Sequence, residues 1–140
     1  MSWVWWALLS ALFAAATAIF AKLGVAGVDS NFATAVRTSV VVLLAWAIAF
    51  ATRSAGSFHI ESKRTWLFLT LSGLATGLSW LCYFRALQLG PASRVAPIDK
   101  LSVALVIALA ALFLGETLTW GKAIGGLLIV AGAIVVALDL

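Results

Sequence analysis

The chain is 140 residues long, 64% hydrophobic and 10% charged, with a mean hydropathy of +1.15. No water-soluble domain of that length can cover so much apolar side chain with polar surface, so the composition excludes a soluble fold and indicates an integral membrane protein. The net charge of +4 comes from nine Lys and Arg scattered among apolar stretches; they form no solvated stripe, which excludes nucleic acid and leaves membrane lipids as the surroundings.

A helical span needs about 20 apolar residues, roughly 30 Å of hydrocarbon at about 1.5 Å per residue. Five stretches meet that requirement, at about 3–22, 32–52, 66–85, 95–114 and 118–138. The expected fold is all-α, a polytopic membrane helix bundle of five transmembrane helices in one domain over residues 1–140. The first stretch has no basic leader, opens on Trp3, Trp5 and Trp6, and runs directly into four more, which predicts a retained span and not a cleaved signal. A small turn of Gly24, Gly27, Asp29, Ser30 and Asn31 follows, with Asp29 placed to cap the second helix. The longest polar segment, Arg53 to Thr65, carries Gly56, His59, Glu61, Lys63 and Arg64 and reads as a solvated loop. After the third span, Gly90-Pro91-Ala92-Ser93 predicts a turn into the fourth, and Gly115-Glu116-Thr117 a turn into the fifth.

Trp3, Trp5, Trp6, Trp66 and Trp120 fall near span ends, where an amphipathic ring prefers the headgroup layer, whereas Trp46 and Trp80 lie deeper. Helix association in lipid depends on close backbone approach. Gly73 with Gly77, and Gly121 with Gly125, recur at a four-residue spacing, and Gly126 and Gly132 extend the last run; these six are the expected helix-packing or dimer contacts.

Cys82 is the one cysteine, so neither an intrachain disulfide nor a cysteine metal site can form. His59 has no partner, the acids are dispersed, no serine sits in a nucleophile motif, and no glycine loop suits a phosphate. The chain is therefore expected to be no enzyme and to need no cofactor and no metal.

An odd number of spans leaves the termini on opposite faces. Let side A be reached by the turns between spans one and two and between spans three and four, and side B be the other. Lys22, Arg37, Arg85, Arg94 and Lys100 fall toward A, and Arg53, Lys63, Arg64 and Lys122 toward B, five against four of the nine basic residues. Topology follows the Lys and Arg imbalance of short loops, so this near-tie suits insertion in both directions. A stricter count omits Arg37 and Lys100, which lie inside spans, and favours B as the cytoplasmic side.

An ionisable residue inside a span costs at least about 2.5 kcal/mol on insertion scales and is usually paired or lines a polar route. Lys22, Arg37, Arg85, Asp99 and Lys100 share a depth toward side A and form a candidate substrate-binding or gating cluster, in which Asp99 is the sole deep acid. Arg37 is its first expected partner, with Lys22 and Lys100 as alternatives. The excess of cations favours an anionic or zwitterionic small-molecule solute. Tyr83, Trp80 and Ser102 are candidates for its lining, as are Gln88, Ser10 and Thr17. Pro97, just ahead of the pair, removes a backbone donor. Asp99→Asn is expected to impair function more than Glu61→Gln.

The stretch Tyr83-Phe84-Arg85-Ala86-Leu87-Gln88-Leu89-Gly90-Pro91-Ala92-Ser93-Arg94-Val95-Ala96-Pro97, then Leu114-Gly115-Glu116-Thr117-Leu118-Thr119 and Gly125-Gly126-Leu127-Leu128-Ile129-Val130-Ala131-Gly132, resembles an EamA domain of the drug/metabolite transporter superfamily. The resemblance spans the whole chain, and the Gly-Glu-Thr-Leu-Thr turn before a glycine-rich helix is its most specific part. Most members have ten spans in two EamA repeats of inverted orientation, so this chain is similar to the short five-span, single-repeat branch. The resemblance implies an inner (plasma) membrane transporter or exporter of a small metabolite, acting by alternating access, with a second copy supplying the inverted repeat as an antiparallel homodimer of dual topology. Small multidrug resistance proteins of the superfamily use an acid in the middle of span one; here that position reads Phe13-Ala14-Ala15-Ala16-Thr17, which argues against their cation/proton exchange. The alternative is a non-transporting membrane subunit or lipid-handling protein acting through helix assembly.

Overall fold

The structure, a computed structural model, describes residues 2–52, 60 and 62–139. Arg53, Gly56, His59 and Glu61 of the expected solvated loop lie outside the described residues. Among the described residues there are six helices and no strand: α1 (Trp3–Gly24), α2 (Ser30–Thr52), α3 (Lys63–Leu89), α4 (Ala92–Asp99), α5 (Leu101–Phe113) and α6 (Trp120–Leu138). With α4 and α5 taken together as Ala92–Phe113, five segments are long and apolar enough to cross a membrane. Lipid offers no partner to a backbone N–H or C=O, so even the β-branched run Val40-Val41-Val42 is helical, its bonds satisfied within the segment.

The chain divides into two units, Leu23–Gln88 and Met1–Lys22 with Leu89–Leu140. In the first, Gly27 turns the chain at φ +74°. Asp29 then caps α2 as expected, its Oδ1 accepting from the N–H groups of Asn31 (3.0 Å) and Phe32 (2.9 Å). Hydroxyls along α2 return to their own helix: Thr34 Oγ1 donates to Ser30 O and Thr38 Oγ1 to Thr34 O, both at 2.7 Å. Val25, Ser30, Thr34, Phe84 and Leu87 are buried, which places this unit's core where α2 begins and α3 ends. Helix α3 outruns its expected span of 66–85 at both ends, so Lys63, Arg64 and Gln88 are helical and the following turn shrinks to Gly90-Pro91.

In the second unit α6 packs on both α4 and α5. Pro91 stands at the N-cap of α4 with φ −69° and ψ 143°, and Pro97 lies inside α4, where it cannot donate to the carbonyl of Ser93. The fourth span tightens just beyond: Lys100 N–H is shared between Ala96 O (3.3 Å) and Pro97 O (3.1 Å), and Val103 N–H donates to Lys100 O at 2.9 Å, a three-residue step. Gly115 turns at φ +67°. Leu118 and Thr119 precede α6 instead of opening it, because the Thr119 hydroxyl caps the helix by accepting from Lys122 N–H at 3.3 Å. Of the six expected packing glycines, Gly126 is buried and its position lies against Ile107 of α5. A Cβ at Gly73, Gly77, Gly125 or Gly132 would meet nothing within 4 Å, and at Gly121 would meet the Thr119 hydroxyl alone.

Candidate functional site

In the unit Leu23–Gln88, Arg37 of α2 meets Trp80 and Phe84 of α3, and Ser30 and Thr34 on the Arg37 side of α2 are buried, as are Phe84 and Leu87 on the Trp80 side of α3. Both groupings follow from helical periodicity, since residues three, four and seven apart share a side. Arg37 enters span two by about two turns. Its guanidinium carbon stands 4.2 Å from the Trp80 ring centre and 5.4 Å from that of Phe84. Those are cation–π distances, worth about 0.5–2 kcal/mol depending on how dry the site is. The Tyr83 phenol lies within electrostatic reach of the same guanidinium, and Arg37, Trp80 and Tyr83 are all half-buried. Toward the end of α3, Arg85 Nη1 donates to Gln88 Oε1 at 2.9 Å, and Gln88 Nε2 donates to Val28 O at 2.5 Å. Arg85 thus steadies a side chain that ties α3 to the turn before α2.

In the other unit, Asp99 and Lys100 sit where the fourth span tightens. Lys100 Nζ approaches Asp99 Oδ2 at 3.1 Å, with side chains 55% and 37% exposed respectively. The ion pair that Asp99 makes is therefore with Lys100, one of the two alternatives, while Arg37 rests on rings. Ser102 is exposed on α5, two residues beyond. Lys22 Nζ donates to Gly90 O at 2.9 Å, joining the end of α1 to the turn before α4.

Two ion pairs and one ring were not anticipated. Arg94, in the first turn of α4, pairs with Asp139 just past α6, and Lys122 Nζ pairs with Glu116 Oε2 at 3.1 Å across the turn into α6. Span parity was the available signal: Arg94 and Asp139 both belong to side A, Glu116 and Lys122 both to side B. Phe84 was detectable as the i+4 neighbour of Trp80 on α3.

Within the spans, Arg37 rests on an aromatic floor and Lys100 stands at a tightened step beside Asp99.

The EamA-like transporter family model matches residues 1–138. An uncharacterized transporter encoded in the cobO 3' region of Sinorhizobium sp is 55% identical over 139 residues, covering 97% of this chain and 96% of that protein. An uncharacterized protein of Methanocaldococcus jannaschii is 32% identical over 80 residues, 57% of this chain and 58% of that one. No solved structure matches. With five apolar helices of spanning length and a family match along nearly its whole length, the chain is a multi-pass membrane protein that belongs to the EamA-like transporter family.

Proposed function

We propose that this protein is a secondary transporter of a small anionic or zwitterionic metabolite, working by alternating access in the plasma membrane as an antiparallel homodimer. The observation that carries the reading is the fourth span, which tightens at Lys100 and sets the Asp99–Lys100 pair there. Transporters place polar sites where a membrane helix departs from regular geometry, because such backbone is tolerated where it lines a cavity. A pair of opposite charges, partly exposed on the chain, can exchange its internal contact for the amine and carboxylate of a zwitterion with little change in net electrostatics. Over the whole sequence nine Lys and Arg stand against five Asp and Glu, an excess of positive charge that favours solutes with a negative group.

The dimer supplies what one repeat lacks. Five spans give a bundle whose ends differ, and a second copy inserted the other way presents the same groups to the opposite face. The test is solute counterflow in sealed proteoliposomes, with panels of anionic, zwitterionic and cationic metabolites. Trans-stimulated uptake within the first two panels is expected; no flux from any panel would reject transport, and flux confined to cations would reject the charge preference.

A further inference from the structure

A guanidinium stacked on a ring has spent its face and none of its hydrogen bonds. The five N–H donors of Arg37 lie in the guanidinium plane, so the contacts with Trp80 at 4.2 Å and Phe84 at 5.4 Å leave that rim for other partners. Among the described residues, no acceptor takes an Arg37 donor, and Asp139, Asp99 and Glu116 pair with Arg94, Lys100 and Lys122. The nearby hydroxyls of Thr34 and Thr38 donate to carbonyls of their own helix. What faces a ligand here is thus a rigid, permanently charged fork above an indole, with the Tyr83 phenol within electrostatic reach.

We propose that Arg37 on its Trp80 floor is a docking point for an oxyanion, the carboxylate or phosphate of the transported solute; this role in transport rests on the function proposed above. A planar fork accepts two oxygens of one carboxylate or phosphate in parallel bonds, and the indole beneath holds the fork's orientation while adding no competing acceptor. A cationic ligand is repelled, and a neutral one gains none of the charge-assisted bonding. The same chemistry would accept a phospholipid headgroup phosphate, so the two sources are separated by experiment.

The full-length protein in a neutral detergent is melted with inorganic phosphate, succinate or choline at matched ionic strength, as wild type, Arg37→Gln, Arg37→Lys and Trp80→Leu. Phosphate or succinate is expected to raise the wild-type midpoint and choline to leave it unmoved. Apparent oxyanion affinity should fall roughly 10- to 100-fold in Arg37→Gln, the range for loss of a charged hydrogen bond. Arg37→Lys, which keeps the charge and loses the fork, should also weaken it, and provides the reading if the glutamine variant does not fold. An equal response in wild type and both Arg37 variants overturns the proposal. In parallel, protein from phosphatidylcholine vesicles containing phosphatidylglycerol is weighed by native mass spectrometry. Loss of bound phosphatidylglycerol in Arg37→Gln, with no midpoint shift from phosphate or succinate, keeps the oxyanion site and overturns its role toward solute. No midpoint shift in wild type and no difference in bound lipid overturns the site itself. Counterflow separates the two readings: oxyanion binding without flux of any solute refutes transport and leaves the site, whereas undiminished anion flux in Arg37→Gln refutes the site's role toward solute and leaves transport.

Discussion

Asp99→Asn removes the negative partner of Lys100 at the tightened step of span four and changes the side chain's volume little. The pair's side chains are 37% and 55% exposed on the chain; where water reaches such a pair, screening holds its worth to stability to about 0–1 kcal/mol. Glu116–Lys122 is a matched control: the same 3.1 Å separation, with side chains 54% and 42% exposed, its acid in the turn between α5 and α6 and its lysine in the first turn of α6. Asp99→Asn and Glu116→Gln should therefore melt within about 1 kcal/mol of wild type and of each other. Their transport should differ. If Asp99 holds the positive group of a zwitterion, Asp99→Asn loses a charge-assisted hydrogen bond of about 1.5–3 kcal/mol, or roughly 10- to 150-fold in apparent solute affinity, while Glu116→Gln stays near wild type. The assay is counterflow against solute concentration, alongside thermal unfolding in the same detergent. Equal transport by the two variants, or a large loss of stability in Asp99→Asn alone, would refute the assignment and reduce the pair to a structural lock.

Further substitutions test the packing and caps. Gly126→Ala should be nearly neutral, since its Cβ would sit at an ordinary 3.5 Å from Ile107 Cδ1, while Gly126→Leu should overpack α5 against α6 and lower stability by about 1–3 kcal/mol in a detergent melt. Asp29→Ala removes the acceptor for two N–H groups at the start of α2 and should lower stability by about 1 kcal/mol, with Asp29→Asn or Asp29→Ser restoring most of it. Gly115→Ala places a side chain at φ +67° and should lower stability by about 1 kcal/mol although the space around it is open.

Spans were legible because lipid imposes one solution on an apolar stretch, and span five illustrates how closely: 118–138 was expected and Trp120–Leu138 formed. The ends were less legible where polar residues remain helical, as at Lys63, Arg64 and Gln88, since hydropathy marks the hydrocarbon edge and not the last hydrogen bond. Depth along the spans drew attention to Asp99, Lys100, Arg37 and Trp80. It could not choose partners. Lys100, adjacent in sequence, reaches Asp99 through a flexible four-carbon stem, and Arg37 stacks on Trp80 because helical phase turns both toward the α2–α3 contact. Glycine spacing was a weaker guide, for Gly126 touches a neighbouring helix while Gly73 and Gly77 face open space within the chain. Spacing reports that close approach is possible, not which surface takes it up.

The single five-helix repeat is proposed to work with an oppositely inserted copy of itself. Single cysteines introduced at Ser2 and at Asp139, in a Cys82→Ala background because Cys82 is an exposed free thiol, can be labelled with an impermeant reagent from one side of intact cells. The account predicts that each terminus is labelled from outside in part of the population; labelling of one terminus alone, with the other wholly protected, would contradict it.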